Sequence, residues 1–192
     1  MEKINCIICG IYNDKSITEI KLCNDNDIFK LTKCINCDFV YLNPRPNESA
    51  IVKYYTKDYH PFKLPNTILY DYVYSFIQNI TFYWKRRILT KYNKSCLRLL
   101  DLGSGNNKFI NYMNQNGWDC NSYDKFSNHS TLDSLKSIKD KSYNNITLWH
   151  SIEHIHDIND LMIDIKRILI SDGYIYIACP NYKAIERKYL KE

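Results

Sequence analysis

The chain lacks the marks of export. Its start, MEKINCIICG, has no basic opening, no long apolar stretch and no small-residue cleavage site. It also lacks any apolar run near the roughly 18 residues that a membrane-spanning helix needs. These absences lead us to expect a soluble, cytoplasmic protein with no membrane partner. There is no block of Lys and Arg either. The 26 basic and 21 acidic side chains are interspersed, and the net charge is only +5. A nucleic-acid arm is therefore not expected. No internal repeat or low-complexity tract is visible. What remains is a chain of 192 residues, 45% hydrophobic, long enough for one medium domain or a small and a larger one.

Eight cysteines in a reducing compartment are poor candidates for disulfides, so grouped ones point to metal. Cys6-x-x-Cys9 and Cys34-x-x-Cys37 frame 24 intervening residues. Two thiolates three positions apart grip one Zn²⁺ from a tight turn, and two such turns complete a tetrahedron. Between the pairs, SITEIKLC and DIFKLTK read as short strands around the turn-forming Asn24 to Asp27, and Gly10 suits a turn needing positive φ. We expect a zinc ribbon over residues 1–46 with Cys6, Cys9, Cys34 and Cys37 as ligands. All four coordination positions are then sulfur, which makes the metal structural. Cys23 has no partner at ligand spacing, while Cys96, Cys120 and Cys179 adjoin apolar runs and are expected in the core.

Residues 47–96 read as a helical connector. Phe39 and Tyr41 alternate as a last ribbon strand, stopped at Asn43-Pro44-Arg45-Pro46, and Asn47 is placed to cap a short helix. Pro61 and Pro65 mark a second break. From Thr67 to about Tyr92 there is no Pro or Gly, and Ile68, Tyr72, Phe76, Ile80, Trp84 and Ile88 recur at helical spacing. That stripe is expected to pack as core.

From Leu97 the pattern changes. LRLLDL fits a buried parallel strand, runs into Gly103-Ser104-Gly105, and is followed by a helix ending near Gly117. Strand, Gly-x-Gly, helix lets a ligand touch backbone at a helix N-terminus. WDCNSYD gives a second strand ending at Asp124, where an acid holds ribose hydroxyls in nucleoside-binding sheets. ITLWH, from Ile146 to His150, is a third strand; DINDLMIDIKRILI is an amphipathic helix; Gly173 leads into a fourth strand, YIYIAC. Such alternation indicates a doubly wound α/β domain over residues 97–192. A nicotinamide site is disfavoured, because Lys108 stands where G-x-G-x-x-G requires its last glycine.

LLDLGSGNNKF, the acid at Asp124, TLWHSIEHIHDI and GYIYIACPN together resemble the successive motifs of class I S-adenosylmethionine-dependent methyltransferases. The preceding CxxC…CxxC with FVYLNPRP resembles a subgroup in which a zinc ribbon precedes that fold, and the likeness extends from Cys6 to about Glu186. The resemblance implies a Rossmann-like parallel sheet of class I methyltransferase type, lacking the last strands, preceded by the four-cysteine module. It implies S-adenosylmethionine as cofactor and a small-molecule methyl acceptor, a sugar or another metabolite. By the same resemblance Asp101, Leu102, Gly103, Ser104 and Gly105 would serve the methionine end, Asp124 and Lys125 the ribose, and Trp149 and His150 the adenine or sulfonium.

Three departures qualify this expectation. Asn107 stands where the loop usually has a third glycine, and Asn tolerates positive φ better than most residues. The stretch from Asp124 to Ile146 is short, with Asp133 as a substitute contact to adenine. The chain also stops soon after YIYIAC. For catalysis, His154 is the expected general base and Glu153 its orienting acid or a cofactor contact; the alternative is that both merely cap the next helix. A zinc site from His150, His154 and His156 has no assured common face. A catalytically inactive ribbon-plus-Rossmann scaffold is the alternative function.

Overall fold

The computed structural model describes residues 1–21, 28–54, 68–92 and 97–184, with backbone only at 68–70. Cys23, the Asn24–Asp27 turn, Pro61, Pro65, Thr67, Cys96 and Glu186 lie outside the described residues. The chain divides into two compact units, Met1–Phe62 with Tyr182–Glu192, and Lys63–Asn181. Among the described residues no helix is long and apolar enough to cross a membrane.

The first unit is an antiparallel sheet of β1 (Asp14–Lys21), β2 (Ile28–Cys34) and β3 (Val40–Leu42) in that order. The two C-x-x-C segments are built alike. Gly10 N donates to Cys6 O at 2.8 Å, and Asp38 N donates to Cys34 O at 3.0 Å. Each turn closes on a residue of positive φ, Gly10 at +73° and Asp38 at +63°. Asp38 is held there by Lys33, whose ammonium lies 2.6 Å from its carboxylate and keeps its pKa low. Asn43 ties the N-terminal segment down: its side chain accepts from Ile4 N and donates to Ile4 O and Asp14. Asn47 caps α1 (Glu48–Ile51) by accepting from Ala50 N at 2.8 Å. Among the described residues the buried apolar cluster of this unit is Cys6, Cys34 and Tyr41, with Phe29 buried apart from it, too few to hold a fold by burial alone.

The second unit contains α2 (Ile68–Tyr92), β4 (Arg98–Leu102), α3 (Lys108–Gln115), β5 (Asp119–Tyr123), β6 (Tyr143–Trp149), α4 (Ile158–Ile168) and β7 (Leu169–Ala178). Its four strands are all parallel, in the order β5-β4-β6-β7. Both faces of the sheet are covered, which explains why LRLLDL reads as a continuous apolar run rather than an alternating one. Leu100, Leu102, Ile146 and Leu148 pack with Leu161, Ile165 and Ile168 of α4 on one face. Leu99 and Cys120 pack with Phe82 and Leu89 of α2 and with Phe109, Ile110 and Met113 of α3 on the other.

Three local expectations are corrected. The residues of α2 that enter the core are Phe82 and Leu89, whereas Tyr72, Phe76, Ile80, Trp84 and Ile88 are exposed. Helical spacing identified an apolar stripe, but α2 is apolar around most of its circumference, and a different face meets the sheet. Cys179 is exposed rather than in the core. Gly173 lies inside β7, not ahead of it, because β7 starts at Leu169. A Cβ on Gly173 would fall 2.6 Å from Leu169 Cγ and 3.0 Å from Asn144 O. That crowding accompanies the irregular β6–β7 register between Tyr143 and Asn145.

Candidate functional site

In the strand order β5-β4-β6-β7 the chain moves from β4 to one side and then crosses to the other, which opens a crevice at the carboxyl ends of β4 and β6. The loop after β4 carries the glycines. Gly103 has φ +77° and its N–H donates to Tyr123 O at 2.8 Å. A Cβ there would land 2.3 Å from Ser151 Cβ, so only glycine lets the loops after β4 and β6 close together. Ser151 secures that approach by donating to Leu102 O at 2.7 Å. Gly105 has φ +56°, and Asn107, in the position of the absent third glycine, takes φ +59° at the start of α3. Its side-chain amide donates to His129 O. The turn thus survives without the glycine.

Two carboxylates bracket this loop. Asp101, on β4, is 4% exposed and accepts from Thr147 Oγ1 of β6 at 2.6 Å. Burial pushes its pKa up to about 7, against the Thr147 hydrogen bond and the Lys85 charge; Asp124 adds to the rise. Asp124 follows β5 and latches the glycine loop. Its Oδ2 accepts from Gly105 N at 2.9 Å and its Oδ1 from Phe126 N at 2.9 Å. Ser127 closes the latch by donating to Gly105 O at 2.5 Å. The carboxylate expected to face a ribose thus also organises the loop beside it.

Lys125 is exposed beside Asp124, and Asp133 is exposed in the following loop. On the β6 side, Trp149 ends the strand half-buried, and among the described residues its buried Nε1 has no hydrogen-bond partner. Ser104 Oγ is likewise buried without a partner. His150 is exposed, with φ +55° and its N–H donating to Ala178 O at 2.8 Å. Glu153 and His154 occupy a 3-10 turn, Ile152–His154. Glu153 places Oε1 3.8 Å from Nδ1 of His150. Neither residue caps α4: Asp157 does, accepting from Asp160 N at 3.0 Å.

One residue at this site was missed from the sequence. Lys85 of α2 is half-buried, with Nζ 4.6 Å from the ring centre of Trp149 and 5.2 Å from that of Phe109. Burial lowers its pKa, and the Asp101 charge opposes that shift. The available signal was a lysine three residues after Phe82 and four before Leu89, on the stripe that turns out to be buried.

In the first unit, the sulfurs of Cys6, Cys9, Cys34 and Cys37 all lie within 4.8 Å of one another. Cys6 and Cys37 are 3.5 Å apart, and Cys9 and Cys34 3.6 Å. A tetrahedron with Zn–S bonds of about 2.3 Å needs sulfurs roughly 3.8 Å apart, so the set fits that ion. Without a cation the thiols cannot all ionise. A hydrogen bond from the Ile11 backbone leads in drawing Cys9 down to about 6. At Cys37 the Phe39 backbone pulls the same way but is outweighed by burial and the neighbouring thiols, which push it up to about 12. His150, His154 and His156 form no second such cluster among the described residues.

A family model described as "Methyltransferase domain" matches residues 71–192. The chain belongs to that methyltransferase family, and its second unit is a Rossmann-like domain. Among solved structures it is similar to a SAM dependent methyltransferase from Archaeoglobus fulgidus, at 21% identity and TM-score 0.45 over 58% of this chain and 57% of that one. A protein from Pyrococcus horikoshii OT3 matches at 20% identity and TM-score 0.45, covering 66% of this chain and 61% of that one. A SAM dependent methyltransferase from Aquifex aeolicus matches at 12% identity and TM-score 0.41, covering 52% and 67%. The chain thus spans about three fifths of the length of those proteins. No curated protein matches it.

Proposed function

We propose that this chain transfers a methyl group from S-adenosylmethionine to a small molecule, a sugar or another metabolite, in the cytoplasm. The observation that carries the proposal is the Gly103-Ser104-Gly105 loop, open to backbone contact at both glycines and held between two carboxylates, Asp101 and Asp124. An acidic bracket suits a cationic amino acid joined to a ribose and repels a diphosphate, whose charge has the same sign. Ser104 Oγ and Trp149 Nε1, buried without a hydrogen-bond partner among the described residues, are polar atoms of the kind a bound ligand satisfies. S-adenosylmethionine, when bound, supplies an electrophilic methyl carbon. The protein's own residues do the rest. Asp101, with Leu102 to Gly105, would hold the amino-acid end; Asp124 and Lys125 the ribose; Trp149 and His150 the base and sulfonium. His154 would take the acceptor's proton, with Glu153 supporting the loop through His150.

In this reading residues 1–46 are a ribbon holding a structural Zn²⁺ through Cys6, Cys9, Cys34 and Cys37, 47–96 connect, and 97–192 bind cofactor. A small acceptor is favoured over nucleic acid because the positive charge is dispersed along the chain. Calorimetric titration of the zinc-loaded protein with S-adenosylhomocysteine tests the core of this proposal. Micromolar affinity, lost in both Asp124→Ala and Asp124→Asn, is expected; a folded protein that takes up no ligand refutes it.

A further inference from the structure

α2 has two apolar faces, and the sheet covers one of them. Phe82 and Leu89 meet the core. On the far side of the helix, Val73, Ile77, Ile80, Trp84 and Ile88 recur at intervals of four, three, four and four. At about 100° per residue these five fall within roughly 80° of arc, so they form one seam. They are 43–56% exposed, and Tyr72, Phe76 and Tyr83 beside them are exposed as well. A helix that packs on one side ordinarily turns polar and charged residues to water on the other. At roughly 100 Å² apiece, half of what a large side chain buries, these eight present on the order of 800 Å². That is more than a monomer ordinarily leaves bare in one patch, and it equals the area each partner gives to a standard protein interface.

We infer that this seam is the contact between two copies of the chain, α2 of one packed antiparallel on α2 of the other about a twofold axis near Ile80. In that register Val73 of each copy falls opposite Ile88 of the other, and Ile77 opposite Trp84. The seam's spacing reads nearly the same from either end, which is the self-complementarity that a twofold interface requires. The charges of α2 favour the same arrangement. Its one acid, Asp71, lies in the first turn, while Lys85, Arg86, Arg87 and Lys91 crowd the last third. Antiparallel packing brings the acidic end of each helix to the basic end of the other and opposes the two helix dipoles; parallel packing would set cation against cation. Four of the five seam residues are β-branched, so they are already stiff and lose little rotamer freedom on packing. A helix lying on an anionic lipid surface instead carries its cations along the polar face, and here they gather at one end.

The test is sedimentation equilibrium on the zinc-loaded full chain and on Ile80→Glu, Ile80→Lys and Ile163→Glu. Wild type should sediment at twice the mass of the chain at about 10 µM, above the weakest dissociation constants of interfaces this size. Ile80→Glu and Ile80→Lys should each weaken the dimer by at least about a hundredfold, because like charges then meet at the axis. An equimolar mixture of the two should recover a dimer holding one copy of each, and that recovery also shows that both variants are folded. Ile163 is an isoleucine of α4 that is 63% exposed, and Ile163→Glu should leave the dimer intact. A wild-type monomer at that concentration overturns the inference, including the cases in which the ribbon unit or an anionic vesicle takes up the seam. A dimer that persists in both Ile80 variants overturns it by placing the interface elsewhere. A mixture that stays monomeric, or an Ile163→Glu protein that dissociates as far as the Ile80 variants, overturns it too.

Discussion

Replacing Asp101 by Asn should make the second unit more stable in alkaline solution while removing its ligand. Asp101 is 4% exposed, and among the described residues its carboxylate accepts one hydrogen bond, from Thr147. Burial, opposed in part by that bond and by Lys85, raises its pKa to about 7. An unfolded Asp titrates near 3.9. The folded state therefore holds its proton over a range where the unfolded chain has released it. An acid shifted upward in this way costs nothing below the unfolded value; its cost grows as pH rises and is complete above about 7. Three pK units at 1.36 kcal/mol each put the full cost at up to about 4 kcal/mol, of which about 2–3 kcal/mol develops between pH 5 and pH 8. Asn keeps an oxygen for Thr147 but brings a buried N–H₂ group that costs about 1–3 kcal/mol at either pH. The sign of the substitution at one pH is thus less informative than its change. Urea unfolding followed by tryptophan fluorescence is the assay, since Trp84, Trp118 and Trp149 all lie in the second unit. The Asp101→Asn protein should gain about 2–3 kcal/mol on wild type between pH 5 and 8 and bind S-adenosylhomocysteine at least tenfold more weakly. A stability difference that is the same at both pH values refutes the argument that Asp101 is an ionisable group under strain.

Cys34→Ser, at a fully buried sulfur, should abolish zinc in the purified protein, measured as one ion per wild-type chain by mass spectrometry, and unfold a ribbon that depends on about 10–16 kcal/mol of metal binding. Gly103→Ala should destabilise the second unit by about 2–4 kcal/mol in the same urea assay, because the new methyl meets Ser151 Cβ at 2.3 Å and φ is +77°. A Gly103→Ala protein as stable as wild type would show that the two loops are not locked together. His154→Ala should leave S-adenosylhomocysteine affinity unchanged and lower kcat by about 10²–10⁴ with an acceptor found by labelled-methyl screening. A fall in affinity with kcat intact would reassign His154 to binding.

Much of the fold could be read along the chain because its signals are local. The two C-x-x-C pairs announce their turns through spacing alone, and the structure brings all four sulfurs together. The run LRLLDL, the glycines after it and the apolar residues of ITLWH each depend on neighbours within a few positions, and strands form at Arg98–Leu102 and Tyr143–Trp149. Asn47 as a cap and Asn107 as a left-handed residue follow from side-chain chemistry that needs no partner far away.

What the sequence determined by itself is the class of each piece: a four-cysteine module, then a parallel α/β domain with a glycine loop bracketed by Asp101 and Asp124. Tertiary structure alone decided which face of α2 is buried, because a helix apolar nearly all round carries no periodic preference and only the shape of the sheet selects Phe82 and Leu89. The same packing carried Lys85 onto Trp149, across 64 positions of chain. It turned Asp124 into the latch of the loop that it was expected only to accompany, and it made glycine obligatory at 103 through a serine 48 residues later. The physical reason is common to all four. Local pattern records what a residue prefers, whereas burial, close approach and charge pairing are properties of two segments that meet only after the chain has folded.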